Sequence, residues 1–263
     1  MAKVIAVHNI KGGVGKTTLA VNLAGVSAIA SGRKTLLWDL DAQGSASFLC
    51  ATSKANGNAR EIFARTLSPG ALIAPTNWPK LDILGADPSL RSLEKLLLDV
   101  GKPKRLKKIL QDLVPLYDYI ILDCPPGLNE VSDQVFKASD LVLVPVVPTP
   151  LGLRGLEQME AYLSKQPGKL PRLFPLVSMA DTRKALHRTF VADHADWPII
   201  PQASIVEQMT VKLAPIEAFA PRSSAAFNYR AIWQAVETLM STAAQNEQKT
   251  NKRGRPRIPK ARV

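Results

Sequence analysis

Two lysines and two threonines lie in the run Asn-Ile-Lys-Gly-Gly-Val-Gly-Lys-Thr-Thr, residues 9–18. Gly12, Gly13 and Gly15 free the backbone to turn with its N–H groups inward, a shape that cradles a polyphosphate. In such a cradle Lys16 would reach the β- and γ-phosphates and the Thr17 hydroxyl would face Mg²⁺, with Val14 and Thr18 completing the lining. An apolar strand, Val4–Val7, leads in, and Leu19–Ala30 reads as a helix whose positive dipole end faces the same anion. The usual phosphate loop carries glycine at position 10; here that residue is Ile10, and Lys11 adds a second cation at the loop entrance.

Nucleotide hydrolysis also needs carboxylates near the metal and the attacking water. Thr35–Trp38 reads as a buried strand and delivers Asp39 and Asp41 within Asp39-Leu40-Asp41-Ala42-Gln43-Gly44. Tyr119–Leu122 is a second apolar strand and delivers Asp123 in Asp123-Cys124-Pro125-Pro126-Gly127. Carboxylates at the C-terminal ends of parallel strands face the crevice where a phosphate loop sits.

The elements that would position these groups alternate along the chain. Strands are predicted at Leu81–Gly85, Leu141–Val146, Leu173–Val177 and Ile199–Ile200. Helical spacing appears at Ile62–Leu67, Leu90–Val100, Leu106–Val114 and Ser223–Ala244, and a loop is expected over Ala51–Ala59. Strands separated by helices predict an α/β fold with a mostly parallel sheet covered on both faces, and the phosphate loop at the end of its first strand makes it a P-loop NTPase. Residues 1–245 are predicted as one such domain, and 246–263, polar and basic with two prolines, as a tail disordered when unbound.

A hydrophobic content of 46% over 263 residues supports a sizeable core. The longest apolar stretch, Leu141–Leu153, is broken by Pro145, Pro148 and Pro150 and is too short to span a bilayer. No signal-peptide pattern opens the chain, and Cys50 and Cys124 lack metal-ligand spacing, so reduced thiols in the cytoplasm are expected. The net charge is +12, and more than half of it sits in residues 249–263, which hold seven basic residues and no acidic one. Such concentration points toward a polyanion.

With Lys11 ahead of the glycines, the phosphate loop is a deviant Walker A motif, and the sequence resembles the ParA/MinD family of dimeric ATPases. Asp39–Gly44 resembles that family's first switch, with Ala42 where proline is usual, and Pro125-Pro126-Gly127 its second. The resemblance implies that Asp41 positions the attacking water, that Asp39 supports the Mg²⁺ shell and that Asp123 holds Mg²⁺ through water. It makes Lys11 the signature lysine that reaches the nucleotide of a partner subunit, hence a homodimer with ATP sandwiched between subunits. Ile200-Pro201 with Ala214-Pro215 looks like the loop near adenine, and Phe219–Ala226 like the opening of the last helix.

Branches of this family differ at the C-terminus. A MinD-like membrane-cycling ATPase would carry an amphipathic helix, whereas Lys252–Lys260 holds two prolines and one large apolar residue, so no membrane partner is expected. Arg253-Gly254-Arg255-Pro256 instead resembles an AT-hook, whose arginines enter a narrow minor groove. Candidate DNA contacts are therefore Lys252, Arg253, Arg255 and Arg257 in the tail, and Arg183, Lys184, Arg188, Arg222 and Arg230 in the folded domain. Pro201–Val206 lacks an arginine expected in some DNA-binding relatives. The expected function is that of a short ParA-like ATPase without an N-terminal helix-turn-helix, cytoplasmic and nucleoid-associated. It would bind non-specific DNA as an ATP dimer, hydrolyse ATP slowly under stimulation by a ParB-like or cargo-adaptor protein, and partition a cargo.

Overall fold

The computed structural model describes residues 2–50, 58–168 and 170–253, with the side chains of the last helix described to Thr242. In chain order the elements open with β1 (Lys3–Val7), α1 (Lys16–Gly25), β2 (Thr35–Asp39), α2 (Ser45–Cys50), α3 (Ala59–Ala64), β3 (Ile73–Pro75) and β4 (Leu81–Leu84). Then come α4 (Leu93–Val100), α5 (Arg105–Leu113), β5 (Tyr119–Asp123), α6 (Glu130–Ala138), β6 (Leu141–Val146) and α7 (Pro150–Leu163). The chain closes with β7 (Arg172–Ala180), α8 (Ala185–Asp193), β8 (Ile199–Pro201), α9 (Ser204–Lys212), α10 (Ile216–Phe219) and α11 (Ser224–Arg253).

The strands form one eight-stranded sheet in the order β3-β4-β2-β5-β1-β6-β7-β8. All pairings are parallel except β3 with β4 at one edge. This is the predicted α/β architecture. The edge strand was not predicted, because three residues ending in Pro75 show no alternation to read. Continuous apolar strands follow from burial on both faces, and side-chain alternation divides them between two cores. Val4, Ala6, Leu36, Trp38, Ile120 and Leu122 face helices α3 to α8. Ile5, Val7, Leu37 and Ile121 face α1, α2, α9, α10 and α11. Trp38 packs on Phe63 in the first core, and Tyr119 meets Trp233 edge-on in the second, with ring centroids 4.7 Å apart.

Several elements begin or end away from their predicted limits, for readable reasons. The first helix starts at Lys16 and loosens into a π turn at Val26–Ala30, where Gly25 lets Pro215 approach to 2.6 Å of the position its Cβ would occupy. Helices α6 and α7 were not predicted from apolar spacing, yet both carry explicit N-terminal signals. Asn129 and Ser132 form a reciprocal capping box on α6, and Thr149 caps α7 ahead of Pro150.

One correction concerns the C-terminus. The helix predicted to end at Ala244 continues to Arg253, so the backbone of residues 246–253 is helical and the proposed tail boundary falls inside α11. Between Ser224 and Arg253 there is no glycine or proline, and the first breakers are Gly254 and Pro256. Arg255 and Arg257 lie outside the described residues.

Candidate nucleotide site

Three strands end side by side at the site. In the sheet register Val7 of β1 is the partner of Asp123, and Asp123 of β5 is the partner of Asp39 on β2. Backbone hydrogen bonds then tie the loops that follow: Leu40 N to Asp123 O at 2.9 Å, and Gly127 N to Ile10 O at 3.1 Å. The phosphate loop and both acidic loops are thus one hydrogen-bonded unit.

Gly13 and Gly15 adopt left-handed backbone, φ 72° and 88°, which a side chain would strain. Gly15 is the N-cap of α1 and supplies no side-chain cap, leaving the first helical N–H groups directed at the crevice. The Lys16 ammonium donates to the Lys11 carbonyl at 2.8 Å and is largely buried. Burial lowers its pKa, and Asp123 is the first of the opposing charges that raise it again. The Lys11 ammonium donates to the carbonyl of Leu151 in the first turn of α7. Asn9 braces this entrance, accepting from Lys11 N at 2.9 Å and donating to Pro145 O at 2.9 Å.

Asp39 and Asp123 are both fully buried but held differently. Asp39 accepts from Ser47 N and Oγ at 2.9 and 2.7 Å and from Asp41 N at 3.1 Å. Desolvation still pushes its carboxyl up to about 6. Neither oxygen of Asp123 accepts a hydrogen bond of good geometry among the described residues, and the Thr17 hydroxyl is its one hydrogen-bonding neighbour there. Burial, then the charge of Asp39, pushes Asp123 up to about 8, although the neighbouring Thr17 hydroxyl and Lys16 draw it down. Asp41 is only partly buried and closes an Asx turn onto Gln43 N at 2.9 Å.

A buried carboxylate whose one hydrogen-bonding neighbour is a threonine hydroxyl is the environment a hard cation would complete. Among the described residues no group of three His, Cys, Asp or Glu side chains is arranged to hold a metal by itself. That fits Mg²⁺, which keeps several waters and is shared with substrate phosphates. Thr17 and Asp123 are the residues that could hold it. Behind them His8 is fully buried, and burial, then the Lys16 charge, lowers it to about 3, so the ring is neutral.

Beyond Gly15 and Thr18 opens a cavity of about 150 Å³, walled by Ile200, Pro201, Gln202 and Tyr229. Ser178 closes it, donating to Val14 O at 2.9 Å, and Met179 enters with a strained φ of 57°. Ile200-Pro201, which the resemblance sets near adenine, walls this cavity. Ala214-Pro215 does not line the cavity; Pro215 is spent on the close packing against Gly25.

A family model described as an AAA domain matches residues 2–169. Chromosome partitioning protein ParA of Caulobacter vibrioides is 33% identical over 207 residues, 73% of this chain and 74% of that protein. The chain belongs to the ParA/MinD family of P-loop ATPases. Sporulation initiation inhibitor protein Soj of Bacillus subtilis is 37% identical over 162 residues, 60% of this chain and 64% of Soj. The chain thus matches less than two thirds of Soj's length. Among solved structures, cobyrinic acid a,c-diamide synthase of Mycobacterium smegmatis with a bound ATP analogue and magnesium superposes with a TM-score of 0.77 at 28% identity, covering 90% of this chain and 94% of that one. The cell division ATPase MinD of Pyrococcus furiosus gives 0.76 at 20% identity over 91% and 100% of the two chains, a likeness of fold.

In this ParA/MinD chain the folded-domain DNA candidates prove unequal. Arg183 forms a two-point ion pair with Asp181 at 2.9 and 3.0 Å, which holds that carboxyl down at about 2. Arg188 donates to the carbonyls of Thr182 and Arg183. Arg230 pairs with buried Glu217 at 2.6 Å. Lys184 and Arg222 are exposed and outside every described ion pair. Asn9, Ser47 and Ser178 were not singled out from the sequence; the first two sit inside or one turn after a named motif, and nothing local marks Ser178.

Proposed function

We propose that this chain is a ParA-like ATPase that dimerises around ATP, binds non-specific DNA in that state and lets go on hydrolysis, so positioning a cargo on the nucleoid. The observation that carries the reading is the pair of Asp123 oxygens that accept no hydrogen bond of good geometry beside the phosphate loop, the place a phosphate-bound cation would fill. Likeness to a chromosome-partitioning ParA supports the cargo reading.

ATP would lie with its phosphates in the Gly12–Thr18 loop and its adenine in the cavity beside Ile200 and Pro201. Thr17 and Asp123, with Asp39 behind, would hold Mg²⁺, whose chemistry there would be to neutralise charge on the phosphates. Lys16 binds the terminal phosphates, and Asp41 orients water for attack. Lys11 leaves Leu151 to reach a second subunit's nucleotide. Turnover is slow by itself and rises with a ParB-like or cargo-adaptor protein.

The test is co-sedimentation with duplex DNA, with and without Mg-ATP. Binding is expected only with ATP and is lost in Lys16→Ala. Removing residues 249–263 is expected to flatten the salt dependence, by up to about 0.9 in log–log slope per lost phosphate contact. Binding indifferent to nucleotide, or ATP-driven binding to anionic vesicles instead of DNA, overturns the reading.

A further inference from the structure

Five of the seven residues from Lys102 to Lys108 are basic and none is acidic. They build the corner where α4 stops at Gly101, in left-handed backbone, and α5 starts. Lys102, Lys104, Lys107 and Lys108 are all exposed. The ion pairs among the described residues are Arg33–Glu237, Lys137–Asp133, Arg183–Asp181 and Arg230–Glu217, and they include none of these four. Asp112, one turn beyond Lys108, is not recruited either. Beneath them Arg105 is 9% exposed, and its buried Nε has no hydrogen-bond partner.

The arrangement runs against helix electrostatics. The first turn of α5 holds no acidic residue, although a helix N-terminus is the positive end of its dipole. Cations placed there add to the potential instead of relieving it, and an external anion would relieve both.

The chemistry of the corner also selects among anions. Leu106, Ile109, Leu110 and Leu113 are 1–2% exposed, so α5 has no apolar face to sink into a bilayer. On α4 and α5 the exposed large apolar side chain is Leu98, 62% exposed. Four lysines are point charges without the planar fork that reads bases, and suit a phosphate backbone of any sequence.

We propose that the α4–α5 corner is a DNA-contact surface, in which Lys102, Lys104, Lys107 and Lys108 grip the phosphodiester backbone. This rests on the DNA-binding reading above. The corner lies on the sheet face covered by α3 to α8, whereas α11, which leads to the basic tail, covers the other face.

The test uses the full chain with all four lysines changed to glutamine, and a control with all four changed to arginine. Duplex DNA binding with Mg-ATP is measured across a salt series, alongside basal ATPase activity and Tm. For the glutamine variant the expected results are DNA affinity lower by ~10-fold or more and a salt slope reduced by up to about 0.9 per contact, with ATPase and Tm unchanged. The arginine variant should retain binding. An unchanged slope in the glutamine variant overturns the corner proposal and leaves the DNA-binding reading standing. A parent chain that binds no DNA with ATP overturns both. Loss of binding to phosphatidylglycerol vesicles with DNA binding intact assigns the corner to membranes and overturns the proposal.

Discussion

The ammonium of Lys16 is held by the backbone carbonyl of Lys11, 2.8 Å away. The lysine that should bind phosphate is thus parked on the residue that should cross to a partner. The ammonium carries three N–H donors, so the carbonyl holds one of them and leaves two for phosphate oxygens. Lys16→Ala is expected to lower ATP turnover by ~10²-fold or more, in line with losing a preorganised charge at the transferring phosphoryl group. A phosphate-release assay checks this, and near-normal turnover would refute the assignment.

Lys11 makes a separate prediction. Its ammonium rests on Leu151 O within its own chain, so removing it costs nothing essential to the isolated fold. Lys11→Ala should keep ATP affinity within ~3-fold, well under the tenfold that 1.4 kcal/mol represents, yet lose the ATP-dependent dimer. Light scattering with and without ATP distinguishes the outcomes; a dimer that persists contradicts the role given to Lys11.

The pH dependence of stability should report Asp123. Its carboxyl sits at about 8 in the fold, against 3.8 for an exposed aspartate. Between those values the folded state holds a proton that the unfolded chain releases, so stability falls as pH rises toward 8. His8, lowered to about 3 from 6.5, acts in the opposite sense: stability falls as pH drops below 6.5. Asp39, raised to about 6, and His8 both finish titrating about a unit above pH 6.5, so the interval from about 7.5 to 8 reports Asp123 most directly. Without nucleotide, Tm should decline across it, and Asp123→Asn should flatten the decline while abolishing Mg²⁺-dependent turnover. A parent melt that stays level there counts against the buried unpaired carboxyl.

Ser47 tests the neighbouring acid. It gives Asp39 two of its three hydrogen bonds, and both favour the charged form. Ser47→Ala removes the hydroxyl, so the Asp39 carboxyl should rise above about 6, and stability should fall by ~1–2 kcal/mol. Denaturant unfolding and the acid limb of the ATPase profile measure the two effects. An acid limb that does not move upward would show that Asp39 does not govern activity.

Gly152 should be intolerant. An added Cβ would fall 2.0 Å from Val147 O, inside the turn that presents Leu151 to Lys11. Gly152→Ala is expected to cost ~1–3 kcal/mol, read from the shift in Tm. A variant as stable as the parent would mean that the turn relaxes freely.

The sequence was most legible where one residue type has one use. The glycines of the phosphate loop, and aspartates set directly after apolar strands, could be placed before any coordinates. Packing hid the rest. Ser178 reaches Val14 from 164 residues away, and only the fold brings them together. Arg183 and Arg230 look like free cations in the sequence, but their neutralising partners emerge only in three dimensions. The end of α11 was misplaced because polar composition was given more weight than the lack of any residue able to stop a helix before Gly254.

The register of β5 carries a further consequence. Its alternating side chains supply both cores, and its last residue is Asp123. A slip of one residue would exchange Ile120 and Leu122 with Ile121 across the sheet and carry the aspartate out of line with Asp39. Mispaired molecules would lose packing and metal affinity together, so the fold proofreads its own chemistry: a chain stable enough to persist is one whose charges are already in place.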